Sequence, residues 1–127
     1  MIVIDYKDSR PIYEQVAEKF QTLVIKGVLE PDSQMPSVRG LAMELSINPN
    51  TIQKAYTELE RRGFIYTVKG RGNFVSSNKD YLKYKIIDIK QKIDKICNEA
   101  ESVGIERNKV AAYILGEELS VWLNLML

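Results

Sequence analysis

The pair Asn48-Pro49 constrains this chain more than any other feature. Proline has no N–H to give to a preceding turn, but it suits the first position of a new helix, and asparagine just before it is a favoured cap. Upstream, Ser37 is placed to cap a short helix whose inner side is Val38, Leu41, Ala42 and Leu45. Downstream, Ile52, Ala55, Tyr56 and Leu59 share the inner face of a second helix that Gly63 stops. Only Ser46-Ile47 and the cap separate the two. Helices joined so tightly lie close together, and a crossing near a right angle is the helix-turn-helix arrangement.

The flanks complete a familiar order of elements. Ile2-Val3-Ile4 is a short apolar run, a strand or an arm lying on the body. Pro11 is expected at the first position of a helix carrying Ile12, Val16, Phe20, Leu23 and Val24 on one face, closed by a left-handed cap at Gly27. Glu30-Pro31-Asp32-Ser33 reads as a turn. After Gly63, the aromatic and β-branched run Phe64-Ile65-Tyr66-Thr67-Val68 predicts a strand. Lys69-Gly70-Arg71-Gly72 predicts its turn and Asn73-Phe74-Val75-Ser76 the returning strand. Helix, helix-turn-helix and hairpin form the sequence of a winged helix over residues 1–77, with a boundary at Ser77-Asn78-Lys79.

Beyond it, Leu82, Ile86, Ile89, Ile93, Ile96, Ala100 and Val103 alternate steps of three and four, the narrow seam of a coiled coil. Gly104 ends this helix. A last helix is expected from about Asn108 into the C-terminal residues, with Val110, Ile114, Trp122 and Leu125 among its apolar positions. An apolar stripe is often a helix packed on its own domain. Two helices are nevertheless too few to cover both apolar faces, so residues 78–127 read as a dimerisation region that meets a second copy. The fold class expected is mainly α with a small β-hairpin: an N-terminal winged helix-turn-helix followed by two dimerising helices.

Composition excludes more than it selects. With 45% hydrophobic and 28% charged residues the chain is an ordinary globular sequence, and its net charge of +1 gives no global attraction to nucleic acid. There is no histidine and a single cysteine, Cys97, which rules out Cys/His zinc sites, histidine-based triads and an intramolecular disulfide. No cofactor, metal or catalytic residue is expected. The first residues do not resemble a signal peptide, and Glu117 and Glu118 interrupt the apolar C-terminal stretch, so neither a membrane span nor a membrane partner is expected; a cytoplasmic location is.

A helix fits the major groove of duplex DNA, and its first residues approach base edges and phosphates. On the second helix of the pair these are Asn48, Asn50, Thr51, Gln53 and Lys54, with backbone N–H groups at the helix start as an anion site. Asn48 alone reads equally as a cap, and Asn50 as a solvated residue; the basic hairpin that follows favours binding. Arg39, expected one turn into the preceding helix, faces the same groove or forms an ion pair with Glu44. Lys69, Gly70 and Arg71 at the hairpin tip enter the minor groove, straddle the backbone, or form a plain solvated turn. From Pro36 to Ser76 six basic residues face three acidic ones, a local surplus within a nearly neutral chain. Arg61 and Arg62, at the far end of the helix, are not counted as contacts.

The run Pro36-Ser37-Val38-Arg39, Leu41-Ala42 and Asn48-Pro49-Asn50-Thr51-Ile52-Gln53-Lys54-Ala55-Tyr56 closely resembles the GntR family of bacterial repressors. Leu59-Glu60, Gly63-Phe64-Ile65, Gly70-Arg71-Gly72-Asn73-Phe74-Val75 and the leading Pro11-Ile12-Tyr13-Glu14-Gln15 continue the likeness over roughly residues 8 to 76. The form Asn-Pro-Asn-Thr followed by Lys-Ala-Tyr is similar to the YtrA-type subfamily. Many members carry arginine where this chain has Pro49 and Gln53, so contacts of those arginines do not transfer. Arg39, Asn50, Thr51, Gln53 and Lys69-Gly70 match positions where the family touches DNA. The resemblance implies a homodimer on a palindromic operator, with two C-terminal helices for dimerisation, and control of operons for ABC-type transporters. No effector is identified by the sequence; Tyr81, Tyr84, Tyr113 and Trp122 read as core or interface residues more than as a ligand site. The alternative function is a protein-docking module that has lost DNA binding.

Overall fold

A computed structural model of the chain describes residues 2–116. The elements are α1 (Ile12–Ile25), α2 (Val38–Leu45), α3 (Pro49–Arg61), β1 (Ile65–Val68), β2 (Gly72–Val75), α4 (Tyr81–Ser102) and α5 (Arg107–Ile114). The packing divides into two compact units between Tyr84 and Lys85, inside α4. The reason is that the first turn of α4 still belongs to the first core, where Tyr81 stacks on Phe64 with ring centroids 4.8 Å apart.

In the first unit, α1 and α3 enclose the core. Val16, Ala17, Phe20 and Val24 from α1 meet Ile52, Ala55, Tyr56 and Leu59 from α3, with Leu41 and Ala42 from α2 and Phe64, Ile65 and Val75 from the hairpin. Phe20 meets Tyr56 edge-on at 5.8 Å, a favoured aromatic geometry. The buried Tyr56 hydroxyl donates to the Pro36 carbonyl oxygen at 2.7 Å, and burial pushes its pKa up. A buried phenol without such an acceptor costs free energy, so this bond ties α3 to the entrance of α2.

The helix ends follow local chemistry. Ser37 Oγ accepts from Gly40 N at 3.0 Å and Asn48 Oδ1 from Asn50 N at 2.8 Å, with Pro49 first in α3. Pro11 is the cap of α1 and not its first helical residue; its carbonyl already accepts from Glu14 and Gln15. At the far ends of α1 and α3, Val28 N bonds the Leu23 oxygen and Phe64 N the Leu59 oxygen, each across a glycine with positive φ, Gly27 and Gly63.

β1 and β2 pair antiparallel with Thr67 opposite Asn73 and Val68 opposite Gly72, so Lys69, Gly70 and Arg71 form the loop. Phe64 falls just outside β1, although its carbonyl still accepts from Ser76. The segment read as a turn at 30–33 does turn, with Ser33 N bonding the Glu30 oxygen, and then runs beside β2. Asp32 N donates to the Val75 oxygen, Val75 N to the Ser33 oxygen, and Met35 N to the Asn73 oxygen. Met35 is thereby buried, a core residue that periodicity does not reveal. Ile2-Val3-Ile4 forms an arm and no strand: Ile2 is buried, and Gln15 holds the arm by accepting from Asp5 N and donating to the Asp5 oxygen, both at 3.0 Å.

In the second unit, Cys97 and Ala100 of α4 pack with Val110 of α5 and with Ile105. Among the described residues α5 begins at Arg107 and ends at Ile114, followed by a turn at Leu115-Gly116; Trp122 and Leu125 lie outside the described residues. Among the described residues no helix is long and apolar enough to cross a membrane.

Candidate nucleic-acid interface

α3 separates its two sides cleanly. Ile52, Ala55, Tyr56 and Leu59 are buried, while Asn50, Gln53, Lys54 and Thr57, spaced by three and four, are exposed. Such a stripe is one helical face, and it consists of short polar side chains plus one cation. Thr57 was not among the sequence candidates; it continues the spacing and accepts a long hydrogen bond from Gln53 Nε2, 3.4 Å. Asn48 is exposed and acts as a cap, and Thr51 is half-buried.

The expected backbone anion site at the start of α3 does not form. Pro49 has no N–H, Asn50 N bonds its cap, and Thr51 and Ile52 both donate to the Asn48 oxygen. Anions at this helix start must be held by side chains. At α2, by contrast, the N–H groups of Val38 and Arg39 have no acceptor among the described residues.

The six cations of the region separate by their partners. Arg61 Nη2 and Arg62 Nε both donate to Glu58 Oε2, at 2.9 and 3.1 Å. The Arg61 guanidinium holds the Glu58 carboxyl below its ordinary range. Lys54 Nζ sits 4.1 Å from the centre of the Tyr13 ring on α1, a cation–π contact. Arg39 lies in the first turn of α2, closer to its start than expected, and makes no pair with Glu44. Arg39, Lys69 and Arg71 are exposed and without an ion-pair partner among the described residues. The positive charge left unneutralised is therefore at the start of α2 and the tip of the hairpin.

These two places face each other across a cleft of about 350 Å³, lined on one side by Pro36, Ser37 and Val38 and on the other by Lys69, Gly70 and Arg71. The hairpin is held rather than swinging free: Gln34 Nε2 donates to the Arg71 oxygen at 2.9 Å, and Tyr66 Oη donates to Asp32 Oδ1 at 2.8 Å. That bond to a carboxylate raises the Tyr66 pKa. The Gln34 brace and the Tyr13 platform carry no local sequence signal, because each acts on a residue distant in the chain.

The seam of α4 is exposed in this single chain. Leu82, Ile86, Ile89, Ile93, Ile96 and Val103 are all open to solvent, with Ile86 65% and Val103 73% exposed. Ala100 departs from the expectation: it is buried against α5 within its own chain, because the turn at Gly104 folds α5 back beside it. Ile87, off the strict repeat, is also exposed. Tyr81 is buried and Tyr84 half-buried in the first core, as aromatic core residues; Tyr113 is half-exposed on α5.

A tight helix pair with a polar outer face, flanked by a braced basic hairpin, defines a winged helix-turn-helix DNA-binding protein. The family described as bacterial regulatory proteins, gntR family, matches residues 12–75, and the chain belongs to it. It is 40% identical over 116 residues to the HTH-type transcriptional repressor YtrA of Bacillus subtilis (strain 168), covering 90% of this chain and 89% of that one. A GntR family transcriptional regulator from Listeria monocytogenes has the same fold, with TM-score 0.67 and 34% identity over 91% of this chain and 100% of that one. The DNA-binding domain of AraR in complex with operator ORE1 matches with TM-score 0.52 and 29% identity, over 60% of this chain and 93% of that one. The protein is a transcription regulator of the DNA-binding GntR type and not an enzyme.

Proposed function

We propose that the protein is a cytoplasmic repressor that binds a palindromic operator as a homodimer. The observation that carries the reading is the pairing of an exposed polar stripe on α3 with unneutralised cations at the start of α2 and on the hairpin side of the wing cleft. Asn50 and Gln53 read base edges, since an amide presents donor and acceptor together. Arg39, Lys69 and Arg71 hold phosphates, Gly70 lets the wing approach the backbone, and Asn48, Thr51 and Lys54 support the start of the helix.

Dimerisation is supported by the open row of aliphatic side chains from Leu82 to Val103, which water disfavours and a second copy would cover. Residues 1–77 act as the DNA-binding part and 78–127 as the dimerising part. Two-fold symmetry sets two recognition helices on successive turns of DNA, ~34–36 Å apart. By its likeness to YtrA-type regulators, the genes under its control are those of an ABC-type transporter.

The test is selection of duplexes from a random pool, followed by titration of the selected sequence against a scrambled one. The reading expects an inverted repeat, bound ~10³-fold or more tightly than the scrambled duplex at physiological salt. Recovery of no preferred sequence by a folded protein would refute it and leave the protein-docking alternative.

A further inference from the structure

We propose that Gln34 is a positioning residue for DNA binding: tied to the hairpin loop, it holds Lys69 and Arg71 where they meet phosphates, and does not itself touch DNA. This rests on the operator-binding reading above.

The segment before α2 braces β2 through its backbone, but those bonds stop short of the loop. Asp32 N donates to the Val75 oxygen, Val75 N to the Ser33 oxygen and Met35 N to the Asn73 oxygen. None reaches residues 69–71, which close on themselves through Arg71 N and the Val68 oxygen. Gln34 extends the support with its side chain. Its backbone lies opposite Phe74 of β2, and its Nε2 donates to the Arg71 oxygen at 2.9 Å. Among the described residues no other hydrogen bond joins this loop to anything outside the hairpin. Gly72 leaves room for the contact: with φ at +119°, a Cβ built there would lie 3.0 Å from Gln34 Nε2.

A loop at the end of two short strands has little to steady it, since a lone two-stranded hairpin is at best marginally stable. Gly70, with φ at +77°, adds backbone freedom at its centre. A loop that is free before binding must be ordered on binding, and that entropy is subtracted from the affinity; a loop already held is preorganised. The bond from Tyr66 to Asp32 steadies the strand and leaves the loop to Gln34. Gln34 carries no charge to offer a phosphate. Lys69 and Arg71 do, both are exposed, and the amide of Gln34 holds the backbone that carries them.

The experiment measures the affinity of the full chain for its selected operator by fluorescence anisotropy over a range of salt. Gln34→Met, which keeps length and loses the donor, is made alone, together with Lys69→Ala and Arg71→Ala, and together with Arg39→Ala. Alone it is expected to lower affinity ~10-fold or more, one hydrogen bond in each half-site being worth ~3–10-fold. Its slope of log K against log salt is expected to flatten by about 1 or more, although no charge has been removed. Without the two loop cations the same substitution is expected to cost less than about threefold, and beside Arg39→Ala its full ~10-fold. Gln34→Ala repeats the series and decides alone if Gln34→Met fails to fold. An equal cost in every background overturns the inference, because Gln34 would then act through overall stability or touch DNA itself. A salt slope unchanged from wild type overturns it as well. Either result leaves operator binding intact; a wild type that binds no duplex removes the operator reading and the inference together.

Discussion

The division of cations at the interface predicts which of them set the salt dependence of DNA binding. Among the described residues Arg39, Lys69 and Arg71 have no ion-pair partner, whereas Arg61 is held by Glu58 and Lys54 by the Tyr13 ring. If each of the first three neutralises one phosphate, a dimer neutralises six. The slope of log K against log salt is then about −5, and affinity falls ~10³-fold between 50 and 200 mM salt. Replacing one of these residues by alanine removes two contacts per dimer and flattens the slope by about 2. Arg61→Ala removes a charge already neutralised within the protein, so its slope should stay within about 0.5 of wild type. Fluorescence anisotropy with a labelled operator at five or so salt concentrations reads both quantities. An Arg61→Ala slope flattened as much as that of Arg71→Ala would refute the reasoning, because the charges that matter would then not be those left unpaired.

Three further predictions concern the scaffold. Gly63→Ala should destabilise by ~2–5 kcal/mol, combining a left-handed conformation with a collision against α4 backbone, while Gly27→Ala, with the same sign of φ but open space around it, should lose only ~1–2; equal losses in thermal or urea unfolding would remove the role given to close approach. Glu58 has a folded-state pKa below its ordinary value of 4.5, so its contribution is complete above about that pH and fades as pH falls through the folded value. The stability gap between wild type and Glu58→Gln should therefore be present at pH 7 and shrink below about pH 4.5; a gap independent of pH contradicts this. Replacing Ile89 and Ile93 together by Glu, at positions 48% and 44% exposed in one chain, should yield monomers by light scattering, each lost aliphatic contact being worth ~1.5–3 kcal/mol; a persistent dimer would take the α4 seam out of the interface.

Much of this protein is legible without coordinates, for a reason visible in its residues. Ser37, Asn48, Pro49 and Gly63 act on backbone groups within four positions of themselves, so their caps and stops can be read from neighbours alone. The inner faces of α1 and α3 follow the same logic, because helical period assigns sides. Tertiary structure decided the rest. Whether a cation is free depends on what folds beside it: Glu58 takes Arg61 and Arg62, Tyr13 takes Lys54, and Arg39 is left without Glu44. The same holds for Met35, buried because residues 32–35 pair with β2, and for Ala100, withdrawn from the seam by α5. Likewise Tyr81, beyond the hairpin, joins the first core because its ring stacks on Phe64. Local order is written in nearest neighbours and period; partnership between distant side chains is set only when the chain closes on itself.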